Sequence, residues 1–242
     1  MKVIGIHSFR RGVGKSTLAA NLAYLQAVAG RRVILMDVNL HSPALDVFFK
    51  LNCPSEAPTL NDYLSGNSSI LDPICDPIPG LPLHIIPASN RTKDMIAALR
   101  PPWNISLILD GINALAARLH PDYIVLDMAA GLHEESLLCM SACNLILQVL
   151  RADAQNYHGT AIMVDVARRL EVEPCLILND APNDLELPII RDRLEQAYEC
   201  QVAALFPHSD QLMALGASGG LFAAMNPDSE LTHKFKALAD SL

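Results

Sequence analysis

The chain has 242 residues, a formal net charge of −8, and 51% apolar against 18% charged residues. That composition excludes a disordered chain, and the acidic balance argues against a broad face that binds nucleic-acid phosphates without reading sequence. A single α/β domain over residues 1–242 is expected, burying roughly three quarters of the surface of the unfolded chain.

Val3-Ile4-Gly5-Ile6-His7 reads as a buried strand. It stands where a secretory leader would need a basic segment and a cleavage site, so no leader is expected. Arg10-Arg11-Gly12-Val13-Gly14-Lys15-Ser16-Thr17 follows, and then Leu18, Leu22, Leu25 and Ala29 fall on one helical face before Gly30. A strand, a glycine-containing turn and a helix opening on Gly-Lys-Ser form the setting of a phosphate-binding loop. Backbone N–H groups crowd a polyphosphate where glycines leave room, and the helix N-terminus adds its unpaired donors. Lys15 is placed to reach the β- and γ-phosphates, and the Ser16 hydroxyl to ligate Mg²⁺. The common form of the loop has Gly six residues before the Lys, where this chain has Phe9.

Residues 10–17 resemble the deviant P-loop of the MinD/ParA family of ATPases. The resemblance implies a P-loop NTPase-type fold, a mostly parallel sheet flanked by helices on both faces, with ATP and Mg²⁺ as cofactors. It places Arg10 at the family's signature Lys, which crosses a dimer interface to the partner's nucleotide, and Arg11 at the first Gly. Arg11, Gly12, Val13, Gly14, Lys15, Ser16 and Thr17 would surround the phosphates. A guanidinium bridges phosphate oxygens as a fork, so Arg for Lys is not a neutral exchange. The family also implies an ATP-sandwich homodimer, a protein partner that stimulates hydrolysis, a cytoplasmic location, and a switch used to position or partition a cargo.

Arg32–Asp37 reads as the second strand. The resemblance continues at Asp37-Val38-Asn39: Asp37 matches an Asp near Mg²⁺ and its waters, and Asn39 stands where the family has an Asp that orients the attacking water. An Asp at a strand end also serves as a helix or turn cap. Residues 41–82 form an irregular insertion with prolines at 43, 54, 58, 73, 77, 79 and 82, and short helices are expected at Ala44–Lys50 and Thr59–Leu64. Leu83–Ser89 reads as a strand running into a turn. Asn104 is expected to cap a helix with Ile108, Ile112, Leu115 and Leu119 on one face. Tyr123–Asp127 is a central strand that resembles a Walker B segment, with Asp127 supporting Mg²⁺ through water, and Gly131 follows where its N–H would approach the γ-phosphate.

The apolar run Leu137–Leu150 is too short to span a bilayer. Its end, Asn144–Leu150, reads as a strand, and Asp153 as the cap of a helix to Leu170 with Tyr157, Ala161 and Val164 inward. Glu173–Asn179 is a strand whose terminal Asn, by resemblance, reads adenine, since an amide both donates and accepts. Asp180 stands where other nucleotide-binding proteins use Asp for guanine. A helix at Leu187–Tyr198 and a strand at Val202–Phe206 lead to Pro207-His208-Ser209-Asp210, where the family's loop packs over the base. Gly216, Gly219 and Gly220 mark a flexible stretch. The last helix, residues 229–242, carries Leu231, Phe235, Leu238 and Leu242 on one face. It lacks a strong basic face, so membrane binding is not expected. The cysteines at 53, 75, 139, 143, 175 and 200 include no C-x-x-C pair, which fits a reducing compartment. Cys139 and Cys143, one helical turn apart, leave a cluster-binding alternative. Asn39 and the Arg10-Arg11 pair leave another, a nucleotide-binding regulatory module with little or no hydrolysis.

Overall fold

Strand segments with apolar residues at consecutive positions must be buried on both faces, and only a sheet covered on both sides provides that. In the computed structural model, which describes residues 1–51, 54, 56–98, 106–182, 186–216 and 218–242, seven such segments form one sheet among the described residues. They are β1 (Lys2–His7), β2 (Val33–Asp37), β3 (Leu83–Ile86), β4 (Tyr123–Asp127), β5 (Leu145–Leu150), β6 (Glu173–Ala181) and β7 (Val202–Pro207). Every pairing is parallel, in the order β3-β2-β4-β1-β5-β6-β7. Eleven helices among the described residues join them: α1 (Lys15–Val28), α2 (Leu45–Phe49), α3 (Leu60–Leu64), α4 (Thr92–Ala98), α5 (Leu107–Leu119), α6 (Glu134–Ser141), α7 (Ala154–Arg169), α8 (Leu187–Tyr198), α9 (Asp210–Gly216), α10 (Phe222–Met225) and α11 (Glu230–Ser241).

The two faces separate by alternation along each strand. Val33 and Leu35 join Ile4, Ile6 and Val125 under α1, α10 and α11, whereas Ile34 and Met36 join Val3, Ile124 and Leu126 under α3, α5, α6 and α7. A third cluster fills the β6–β7 end beneath α7 and α8.

Helix α1 is buried on more than the expected stripe. Ala19, Ala20, Ala23 and Ala27 are inside with Leu18 and Leu22, because α10 and α11 pack beside it. Ala29 lies past its end and is exposed. Two side chains of α1 fasten these neighbours: Asn21 Oδ1 accepts the Ala223 N–H (2.8 Å), and Gln26 Nε2 donates to the Ala239 carbonyl (2.6 Å). The apolar face of α11 is therefore covered by its own chain, and the Phe206 and Phe235 rings meet at 4.5 Å. No helix among the described residues is long and apolar enough to cross a membrane.

Helices α2, α3, α5, α7, α8 and α11 lie within a residue or two of expectation, with Asp153 and Ser229 capping α7 and α11. Four helices were not expected: α4, α6, α9 and α10. The stretch read as flexible around Gly216 holds the end of α9 and the turn into α10. Ala161 faces outward, and Thr160, Met163, Val164 and Ala167 form the inner face of α7 instead. Asn104 lies outside the described residues.

Beneath the first loop, a buried histidine ties three strands together. His7 Nδ1 lies 3.0 Å from Gln148 Oε1 and its Nε2 3.1 Å from the Gly131 carbonyl. A neutral imidazole donates through one nitrogen only. Gln148 Nε2 is otherwise buried without a partner. Turning the Gln148 amide over lets it donate to Nδ1 while His7 Nε2–H donates to Gly131, which gives both ring nitrogens and the Gly131 carbonyl a partner. Ser136 Oγ also donates to the Gly131 carbonyl (3.0 Å), and the Gly131 N–H donates to the Ser8 carbonyl (2.9 Å). The Gly131 N–H is therefore committed to the loop backbone rather than open to a phosphate.

Burial, only partly offset by the Gln148 and Gly131 contacts, lowers His7 from 6.5 to about 4. Above pH 6.5 the ring is neutral in both folded and unfolded chains. As pH falls from 6.5 towards 4 the unfolded chain takes up a proton that the folded one refuses, so stability is lost. We expect wild type to lose about 2 kcal/mol more than His7→Gln between pH 6.5 and 5 in urea unfolding; equal losses would show that His7 is not held neutral. Truncating Phe235 removes a ring that is only 2% exposed. Phe235→Ala should lower the unfolding free energy by about 3–4 kcal/mol in the same assay, and a loss below about 1 kcal/mol would contradict this packing.

Candidate functional site

Between β1 and α1, residues 8–14 turn at the C-terminal edge of the sheet, the edge where open α/β sheets bind ligands. Gly12 (φ 77°) and Gly14 (φ 97°) both take left-handed conformations, which cost a side chain but not glycine. Gly14 is the N-cap of α1, and a Cβ there would collide with the Asn179 amide. Ser8 Oγ donates to the Arg10 carbonyl (2.5 Å) and fixes the turn. Phe9 packs its ring directly on Gly159 of α7, where a side chain would not fit. The aromatic residue at the unusual position of the loop thus anchors it to the neighbouring helix.

Arg10 and Arg11 are exposed at the rim, Ser16 and Thr17 are half-buried, and Lys15 is only 7% exposed. Burial lowers the Lys15 ammonium below its ordinary value, Arg11 adds to the effect, and Asp127 opposes it.

Asp37 and Asp127 end adjacent strands in register with each other. Both are fully buried, and burial raises both above the ordinary carboxyl range; Asp127 adds to the effect on Asp37, while the nearby Ser16 hydroxyl and Lys15 pull Asp127 back. Their partners differ. Asp37 accepts three backbone N–H groups, from Asn39 (3.1 Å), Ala44 (2.9 Å) and Leu45 (3.2 Å), and so caps α2. Asp127 has both carboxylate oxygens buried with no hydrogen-bond partner among the described residues. An orphaned buried carboxylate beside a hydroxyl and an ammonium suits Mg²⁺, which takes one or two carboxylates and fills its shell with water and phosphate oxygens. Asn39 points away from this pair: its Nδ2 donates to the Ser42 carbonyl (2.7 Å).

On the other side of the loop lies a cleft of about 270 Å³ lined by Gly12, Thr17, Asn179, Phe206, Pro207 and Leu212 among others. Asn179 Nδ2 donates to the Val13 carbonyl (2.8 Å), which leaves its second N–H and its oxygen for a ligand. Asp180, also on the rim, is bound on both oxygens, Oδ2 by Arg151 and Oδ1 by His208 Nδ1 (2.6 Å). The sequence suggests no role for Arg151, and places His208 only in the loop that by resemblance packs over the base. Their meeting depends on the neighbouring order of β5, β6 and β7, which no local pattern encodes.

Cys139, on the buried side of α6, and Cys143, just past its end, are both inside, with the Cys143 thiol donating to the Cys139 carbonyl (3.2 Å). Burial pushes Cys139 up to about 12 and Cys143 well above its usual value, so neither offers a thiolate. Among the described residues no group of three or more His, Cys, Asp or Glu is placed to hold a metal.

Known proteins match along nearly the whole chain. An uncharacterised ATP-binding protein of Methanocaldococcus jannaschii is 25% identical over 241 residues, 99% of this chain and 86% of its own length. The fold superposes on the cell division ATPase MinD of Pyrococcus furiosus with a TM-score of 0.85 at 21% identity, covering 99% of this chain and 97% of that one. It superposes equally, at 0.85 and 20% identity over 99% and 95%, on the septum site-determining protein MinD of Pyrococcus horikoshii complexed with Mg-ADP. A model of the CobQ/CobB/MinD/ParA nucleotide binding domain matches residues 4–221, and the chain belongs to that family.

Proposed function

We propose that this chain is an ATPase of MinD/ParA type that pairs with a second copy when ATP and Mg²⁺ are bound and separates after hydrolysis, in the cytoplasmic positioning or partitioning of a cargo. The observation that carries the reading is Asp127: a fully buried carboxylate with no hydrogen bond of ordinary geometry, met only by the Lys15 charge and the nearby Ser16 hydroxyl at the base of the loop. Burying such a group costs several kcal/mol unless a cation meets it. Support also comes from the M. jannaschii relative, named as ATP-binding, and from the P. horikoshii structure, which holds Mg-ADP.

In this reading Gly12, Val13 and Gly14 present backbone donors to the phosphates. Lys15, with Arg11 and Thr17 beside it, neutralises them, and Asn179 reads the base beside Pro207. Ser16 and Asp127 hold Mg²⁺, with Asp37 behind them. Mg²⁺ supplies charge neutralisation at the β- and γ-phosphate oxygens when bound. Arg10, exposed on a turn braced by Ser8, reaches the nucleotide of the facing copy. An arginine supplied across an interface is worth about 10³–10⁵ in rate in other P-loop enzymes. A further protein that stimulates hydrolysis completes the cycle.

Asn39 favours a slower cycle. Its amide is tied to Ser42, and an amide cannot take a proton from an attacking water as a carboxylate does. A module that holds ATP with little turnover is the second reading.

Light scattering in Mg-ADP and in Mg-ATP, on wild type and Lys15→Ala, tests pairing. The expected result is a doubled mass for wild type in Mg-ATP alone; one mass throughout would remove the switch and leave the static module. For the second reading, Asn39→Asp should raise the rate of phosphate release roughly tenfold, about 1.4 kcal/mol in barrier. An unchanged rate would mean that position 39 does not limit turnover.

A further inference from the structure

The Asp180 carboxylate stands at the base cleft where an aspartate could read guanine, yet both of its oxygens are already engaged by side chains. Strand β6 breaks register with β7 between Leu178 and Ala181, and Asp180 sits in that irregularity at φ 56°. Asp takes this left-handed backbone more readily than most side chains do, and here its carboxylate meets polar surroundings. The surroundings here are two cationic or donor side chains from the flanking strand ends. Arg151, just past β5, engages Oδ2; His208, just past β7, engages Oδ1 at 2.6 Å. His208 is braced in turn by the Asp210 carboxylate at 3.1 Å from Nε2 and by its own N–H, which donates to the Ala181 carbonyl at 2.8 Å. Asp180 is only 16% exposed, whereas the Arg151 and His208 side chains are 42% and 39% exposed.

Guanine presents two adjacent donors, N1–H and the exocyclic N2–H₂, and a carboxylate recognises them with both oxygens at once. Adenine has no donor at either place. Each carboxylate oxygen accepts about two hydrogen bonds, so Arg151 and His208 do not fill Asp180; they fix its orientation and draw on its charge, which weakens it as a partner for the guanine pair, and a base whose donors are buried unpaired is rejected strongly. We propose that Arg151 and His208 set the base selectivity of the cleft by engaging Asp180, so that Asn179 alone reads the base. Arg151 and His208 are positioning residues: they act through Asp180. The inference rests on the adenine-nucleotide reading above, and it adds the reason why guanine is refused.

Calorimetric titration with Mg-ADP and Mg-GDP tests it on four proteins: wild type, Arg151→Ala, Arg151→Ala/His208→Ala, and that double variant with Asp180→Ala. Wild type should prefer Mg-ADP by at least about a hundredfold. Freeing Asp180 in the double variant should tighten Mg-GDP by about tenfold or more, as one regained carboxylate pair would, with a smaller gain in Arg151→Ala alone. Adding Asp180→Ala should abolish the gain. An unchanged ADP-to-GDP ratio in both Arg151 variants would overturn the clamp while leaving the adenine reading intact. A gain that survives Asp180→Ala would also overturn it, since space and not the carboxylate would then be responsible. Equal wild-type affinity for the two nucleotides, or none for either, would overturn the clamp and the adenine reading together.

Discussion

The arrangement at the sheet edge depends on how two buried carboxylates are satisfied. Asp37 and Asp127 end neighbouring strands in register, deep enough that each is driven towards its neutral form. Two like charges so close in a low dielectric repel strongly, and only their surroundings allow both to stay. Asp37 is satisfied by backbone: three N–H groups converge on it. Asp127 is not, and Lys15, itself nearly buried, is the one cation among the described residues acting on it. The depth of Lys15 follows from the glycine turn that drops α1 onto the sheet edge, so loop conformation and carboxylate chemistry are one constraint.

That constraint spreads outward through covalent neighbours. Because Asp37 caps α2, the position of that short helix is fixed by a residue at the end of β2, beside Asp127. Helix α2 in turn lies against the turn before α10, where the backbone and side chain of Val47 leave room only for Gly219. The carboxylate pair, the Pro-rich segment and the C-terminal helices are thus in mechanical contact through few residues.

Much of this was legible in the sequence. Consecutive apolar residues without alternation identified the strands, because a doubly covered parallel sheet imposes that pattern, and Gly-Val-Gly-Lys-Ser identified the loop. Short helices were harder. In α6 the acidic first turn, Glu134 and Glu135, gives way to an apolar run that continues into β5, so no boundary shows. Helix α9 ends on, and α10 follows, glycines that suggest looseness, although Gly219 and Gly220 serve only as turns. The role of Asp37 as a cap was among its possible readings, but Asn39 turning to Ser42 and Gly131 turning to Ser8 are consequences of loop paths that composition does not record. The grouping of Arg151, Asp180 and His208 lies further still from the sequence, since it follows from strand order.

Strand order also sets when this site can exist. β1 occupies residues 2–7, yet its two neighbours are residues 123–127 and 145–150. Val3 and Asn144 close reciprocally, the Val3 N–H onto the Asn144 side chain at 2.7 Å and the Asn144 N–H onto the Val3 carbonyl at 2.8 Å. The entropic cost of bringing such distant segments together grows only logarithmically with separation, but non-local pairings of this kind slow folding. During synthesis the loop after β1 therefore leaves the ribosome well before β4 and β5, the strands that scaffold it. Until β4 has emerged, the apolar first strand has neither of its neighbours in the sheet and depends on the nascent chain's other means of avoiding aggregation.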